Sequence, residues 1–195
     1  CELGRNFANK IWNATRFVVS HLENGRRTDP RRAGKLLSSD DRYILDQLQL
    51  TIKDISGLLE KFHFNEAATA FYDFFWHHFC DRYLESAKFS LEEENKERRE
   101  VVRGVLFTVL SSSVKLLHPF MPFITEEIWQ RFRPGTLLIE ETWPALEEEL
   151  QFPAVRDFAR LKFDLISAAR ALRKEYRIPP SRRLSFRKKA RRWPL

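Results

Sequence analysis

Cysteine is nearly missing from this chain. Its two thiols, Cys1 and Cys80, lie far apart and in no ligand-like spacing. A disulfide-stapled fold is therefore excluded, and free thiols in a reducing compartment are expected. Glycine is scarce too, with six in all, and no glycine-rich loop of phosphate-cradling spacing occurs. No apolar run approaches the ~18 residues of a membrane span. Cys1-Glu2-Leu3-Gly4-Arg5 has no apolar segment of the kind a signal peptide needs. The one methionine is Met121, and a helical pattern is already under way by Phe7, as in a piece of a longer polypeptide. Of the 195 residues, 43% are apolar and 31% charged. That is the balance of a soluble globular domain long enough to bury a core without metal or disulfide support.

Charge is unevenly spread. The chain carries +7 overall, yet residues 170–195 carry +10, so the first 169 sum to −3. Within that body the first 35 residues carry +5. Both basic ends suit a polyanion, and the last residues also read as a solvated tail.

Helical periodicity dominates between these ends. Helices are expected at about 3–22, 40–61, 65–89, 95–117, 122–132 and 154–176. Ser39 offers an N-cap to the second, with Asp40 and Asp41 in its first turn. Pro119 stops the fourth, and Pro122 suits the first turn of the fifth. Residues 133–150 read as a long connection with a short extended segment. Near the end, Arg183/Leu184/Ser185/Phe186 alternates and suggests one strand, which alone cannot satisfy its ladder. The expected fold is all-α, a bundle of about five to six helices with a short basic C-terminal extension. Its parts would be a bundle over 1–133, a connection and further helix over 134–180, and a basic tail or truncated small region over 181–195.

Catalytic constellations are wanting. His77, His78 and Cys80 lack the second pair of ligands that zinc needs. In Glu126-Glu127 and Glu140-Glu141 the neighbouring carboxylates point apart on a helix. Neither a metal site nor an acid/base pair is expected. The first helix is more informative. Phe7, Ile11, Ala14, Val18 and Leu22 form its core stripe, at about 100° per residue. Asn6, Lys10, Asn13 and Phe17 form a second stripe. Lys10 can take a phosphate, Asn6 and Asn13 can read base edges, and Phe17 can stack on an unpaired base, as in recognition of single-stranded RNA loops. Arg16 can reach a backbone phosphate. The alternative is that another helix or the 23–38 loop covers Phe17.

Two strings, "NKIWNATRF" (9–17) and "HPFMPFITEEIW" (118–129), resemble the anticodon-binding helical domain of class I aminoacyl-tRNA synthetases. Within that class they are most similar to the valyl-tRNA synthetases, while the isoleucine and leucine enzymes share the domain with more divergent strings. "DRYIL" (41–45), "FNEAATAFYDFFW" (64–76) and "FCDRYLESAK" (79–88) fit the same family in the same order. The resemblance covers about residues 1–180. It implies anticodon reading by Lys10, Asn13, Arg16 and Phe17, with Leu84 and Glu85 as neighbours. Phe17 would stack on a base, Asn13 and Glu85 would bond base edges, and Lys10 and Arg16 would hold phosphates. Further phosphate contacts are expected from Asn6, Arg26, Arg27, Arg31 and Arg32. "HPFMPFITEEIW" implies a structural turn whose rings are core. Arg82 departs from the family's usual tryptophan.

Neither the H-x-G-H nor the K-M-S-K-S type signature of the catalytic domain occurs. No enzymatic activity is expected of this chain alone, and no cofactor. ATP and Mg would serve the parent enzyme, a valine–tRNA ligase, in its catalytic domain. The implied partners are the tRNA(Val) anticodon stem-loop and that catalytic domain, in a cytoplasmic monomer without membrane contact. A helical scaffold that docks a protein, or the equivalent isoleucyl domain, is the alternative.

Overall fold

The computed structural model describes residues 2–22, 25–179 and 182. It divides into two compact units, residues 1–156 and 157–195. The first unit contains α1 (Glu2–Leu22), α2 (Pro30–Ala33), α3 (Ser39–Glu60), α4 (Phe64–Asp73), α5 (Glu85–Glu92), α6 (Lys96–Leu117) and α7 (Pro122–Phe132). No strand occurs among the described residues, and the strand expected near 183–186 lies outside them.

The core is built from one stripe of each helix. Ile11, Ala14 and Val18 of α1 are buried with Ile44, Leu45, Leu48, Ile52 and Ile55 of α3. The spacing of three and four residues puts each set on one helical face. Valines and leucines from Val101 to Leu117 are buried on several sides of α6, and α1, α3, α5 and α7 all pack against it.

The start of α3 differs by one residue from expectation. Ser38, not Ser39, is the N-cap. Its hydroxyl accepts from the Asp41 backbone N–H at 3.2 Å, and the Asp41 carboxylate accepts from the Ser38 N–H at 2.8 Å, a reciprocal capping box. Asp41 is also completely buried. It accepts from the Tyr83 hydroxyl at 2.8 Å and from the Arg98 guanidinium, so one carboxylate ties α3 to two other elements.

The expected third helix is a continuous rod from Phe64 to Glu92, but its middle is not α-helical. Phe74–Leu84 is wound as a π-helix between α4 and α5. Its ring pattern supplies a reason. Phe71, Phe75, Phe79 and Tyr83 recur every four residues, with centroids 5.6, 5.4 and 6.4 Å apart along the row. In an α-helix a four-residue step drifts about 40° around the axis. The wider i→i+5 turn rotates less per residue and keeps all four rings buried.

The α6–α7 turn is structural, as expected. His118 Nδ1 and Thr125 Oγ1 lie 2.8 Å apart, and Pro122 opens α7. Trp129 is buried and its Nε1 donates to Thr136 Oγ1 at 3.0 Å. The reading of every ring in this string as core needs correction: Phe123 is 92% exposed. It stands at the second position of α7, just after Pro122, where the helix start projects from the bundle.

The connection after α7 alternates extended backbone with short helical turns. It makes 3₁₀ turns at Leu138–Glu140 and Glu148–Leu150, which bury Leu138 and Leu150. Polar groups pin it down. Trp143 Nε1 donates to Ser56 Oγ at 2.8 Å and the Glu147 N–H to Gln49 Oε1 at 2.8 Å. Asp46, fully buried, accepts from the Phe152 N–H at 2.9 Å and from Arg156 at 2.7 and 2.9 Å. In the second unit, α8 (Val155–Glu175) exposes Phe158, Leu161, Leu165 and Leu172 at helical spacing. No described helix is long and apolar enough to cross a membrane.

Candidate nucleic-acid interface

The second stripe of α1 faces outward. Asn6, Asn13 and Arg16 are exposed, while Phe17 is half-buried. One edge of the Phe17 ring rests on His21, with centroids 4.4 Å apart, and Lys88 Nζ of α5 stands 5.9 Å from the ring centre. The backbone beneath the ring is fixed. The Phe17 carbonyl accepts from Ser20 Oγ at 2.9 Å and lies 2.7 Å from His21 Nδ1, which therefore carries its proton.

A groove of about 480 Å³ opens beside the ring, lined by Asn13, Arg16, Phe17, Val19, Ser20 and Arg131. Three of the residues expected to read RNA share it. Its far wall is α7, from which Arg131 reaches over Trp12 of α1 at 4.4 Å and bonds Glu127 at 3.1 Å.

The other expected residues lie elsewhere. Lys10 Nζ donates to Asp81 at 2.9 Å and stands 5.0 Å from the Trp76 ring centre. Burial works against its charge, but the Asp81 hydrogen bond and nearby negative charges raise its pKa overall. Glu85 accepts from Lys88 at 2.6 Å, so the cation beside Phe17 links Glu85 to the groove. Leu84 is only 6% exposed and belongs to the core; it supports this face and does not present itself to a ligand. Asn6 is eleven residues from Phe17, about 16 Å along the helix. The basic loop after α1 forms a separate patch. Arg26 and Arg32 are exposed. Arg27 lies 3.7 Å over Phe107, and Arg31 pairs with Asp29 at 2.7–3.1 Å.

Arg131 in the groove and Lys88 near the Phe17 ring are the residues that sequence reasoning missed. Arg131 falls in the last turn of α7, where a basic residue is ordinary complement to the helix dipole. Only tertiary packing distinguishes it. Arg82, in place of the usual tryptophan, donates to the Tyr43 hydroxyl at 3.0 Å. The Tyr43 hydroxyl in turn lies 2.7 Å from His78 Nδ1.

Two titratable groups of the Phe74–Leu84 segment are shifted so that they stay uncharged at neutral pH. Burial pushes the Cys80 thiol up to about 12. Burial, then the charge of Arg82, pulls His78 down to about 4. What the groove offers is a ring for stacking, an amide for base edges and two guanidinium groups for phosphates, the combination suited to an unpaired RNA loop.

Known proteins give this geometry a setting. The family profile described as "Anticodon-binding domain of tRNA ligase" matches residues 41–188. A valine–tRNA ligase of Pseudothermotoga lettingae is 42% identical over 180 residues, covering 91% of this chain and 20% of that protein. The Thermotoga maritima enzyme of the same name is 41% identical over 182 residues, covering 92% of this chain and 20% of that protein. That of Bacillus cereus is 36% identical over 187 residues, covering 95% and 21%. This chain thus spans about a fifth of the length of the curated relatives it matches. Among solved structures, the LeuRS of Agrobacterium radiobacter K84 agnB2, in a ternary complex with tRNA and LeuAMS, aligns with a TM-score of 0.57 and 25% identity, covering 76% of this chain and 17% of that one. By sequence over some three quarters of its length, and by an all-helical fold, the chain belongs to the anticodon-binding domain family of tRNA ligases.

Proposed function

We propose that the groove between α1 and α7 reads the anticodon loop of tRNA(Val), and that the chain serves a valine–tRNA ligase in choosing its tRNA for ATP-dependent charging. The observation that carries this reading is the shared groove: Phe17, Asn13 and Arg16 from one face of α1 meet Arg131 of α7 around one opening. Phe17 stacks on an anticodon base, Asn13 bonds a base edge, and Arg16 and Arg131 hold backbone phosphates. Lys10 and Glu85 join by exchanging their exposed partners, Asp81 and Lys88, for RNA groups. ATP and Mg belong to the catalytic domain of the parent enzyme, a cytoplasmic monomer. That domain is a partner of the bundle. A largely apolar cleft of about 510 Å³, lined by Gly4, Phe7, Tyr72, Leu117, Phe120 and Met121 among others, favours a protein neighbour at the other end of α1.

The test is a titration with the valine anticodon stem-loop and with one altered at the middle and last anticodon bases. Binding should be tighter for the first and should weaken steeply with salt. Equal affinity for both would remove the base-reading role.

A further inference from the structure

Outside the groove, two arginines converge on one aromatic ring without acidic partners among the described residues. Arg27, in the loop before α2, lies 3.7 Å over the Phe107 ring of α6. Arg133, just past the end of α7, lies 6.0 Å from the same ring centre and 5.7 Å from that of Trp129. Their guanidinium carbons are therefore on the order of 10 Å apart or less, close to the screening length of physiological salt. Among the described residues neither forms an ion pair with a carboxylate. Glu141 feels Arg133 but is held by Lys115 at 2.8 Å.

Both cations sit on fixed backbone. The Thr28 N–H donates to the Glu100 carbonyl at 3.0 Å. The loop there presses so closely on α6 that a Cβ at Gly104 would fall 1.8 Å from the Thr28 carbonyl oxygen. The Arg133 N–H donates to the Trp129 carbonyl at 2.8 Å. The ring stack is anchored as well: Phe132 packs edge-on against Phe107 at 5.9 Å and against Trp129 at 5.0 Å. Like charges this close repel, and an anion beside both would relieve the repulsion. The repulsion already leaves a mark, since burial, then Arg133, makes Arg27 easier to deprotonate than an ordinary arginine.

We propose that Arg27 and Arg133 form a clamp for a backbone phosphate of the RNA, separate from the groove. Two guanidinium forks suit the several oxygens of one phosphate, and charge-assisted bonds of this kind are short and strong. The clamp rests on the chain binding tRNA but not on the groove reading bases. It adds affinity and register, and no sequence information.

Arg27→Gln, Arg133→Gln and the double variant test it, with Lys53→Gln on exposed α3 as a control for loss of one surface charge. Binding of the two anticodon stem-loops is followed by fluorescence anisotropy across a salt series, and thermal melts check the fold. The double variant should bind several-fold more weakly at low salt, equally for both RNAs. Its slope of log K against log salt should fall by about 0.7–0.9, the value of one phosphate. An unchanged slope, an effect no larger than that of Lys53→Gln, or a lost preference between the two RNAs would overturn the clamp. Wild-type protein that binds both RNAs equally would remove base reading and leave the clamp intact. Wild-type protein that binds neither would overturn both.

Discussion

Replacing Phe17 separates a reading ring from a core ring, provided the substitution is chosen with its half-burial in mind. Full truncation of a buried phenylalanine costs about 3–5 kcal/mol. Phe17 is half-covered, with His21 against one edge and Lys88 near its face, so Phe17→Ala should cost roughly 1–2 kcal/mol of stability. A binding loss in that variant would then be ambiguous. Phe17→Leu keeps most of the apolar contact and should change stability by under about 1.5 kcal/mol. It removes the flat π-face, which is worth ~1–3 kcal/mol per stacked base, or about 5- to 150-fold in affinity. The measurement pairs urea melts of both variants with anisotropy titrations of a labelled valine anticodon stem-loop at one low salt concentration. Phe17→Leu should melt close to wild type and bind at least five-fold more weakly. A Phe17→Leu protein that binds like wild type, beside a Phe17→Ala protein that merely unfolds more easily, would make the ring structural and refute the stacking role.

Asp41→Ala should cost about 3–5 kcal/mol in a urea melt, because it strands the Arg98 cation and leaves the Tyr83 hydroxyl unpaired, both beside a buried site. Acid should weaken the fold through His78. Unfolded, its imidazole takes a proton near pH 6.5, whereas burial and then Arg82 hold it neutral down to about 4. The unfolded chain therefore binds the extra proton in that window. Stability should fall by about 1–3 kcal/mol as pH drops from 6.5 to 4, and His78→Gln should flatten that part of the curve. Gly104→Ala should cost about 1–3 kcal/mol in stability. Its methyl group meets the Thr28 backbone oxygen, so the basic loop must move before the rest of the bundle does.

Periodicity made most of the fold legible. The stripes of α1, α3, α6 and α7 are visible as spacings of three and four, and proline placed the α6–α7 turn. It could not show the π-helical middle of the Phe64–Glu92 rod. A row of rings every four residues also fits an α-helix buried on more than one side, and only packing decides between them. For the candidate site, the second stripe of α1 located Asn13 and Phe17 on one wall of a groove, which Arg16, further round the helix, also lines. Coverage was the hidden quantity. The ring meets His21 on its own helix and Lys88, more than seventy residues on in sequence, while Arg131 of α7 lines the groove beside it. The burial of Leu84 was hidden for the same reason, since it depends on neighbours that its own helix does not carry.

Burial also separates the charges that build this domain from those free to work. Asp41 and Asp46 have no exposed surface, and each holds an arginine together with a backbone N–H. Removing Arg98 would strand the buried Asp41 carboxylate, at a cost of about 3–5 kcal/mol. Lys10 with Asp81 and Glu85 with Lys88 have similarly short contacts, 2.9 and 2.6 Å, yet all four side chains are a third or more exposed. Pairs of that kind contribute about 0–1 kcal/mol. Water or a phosphate can replace either partner at little cost. Distance alone would rank these four pairs together; the carboxylates divide them, since Asp41 and Asp46 are fully buried while Asp81 and Glu85 reach solvent.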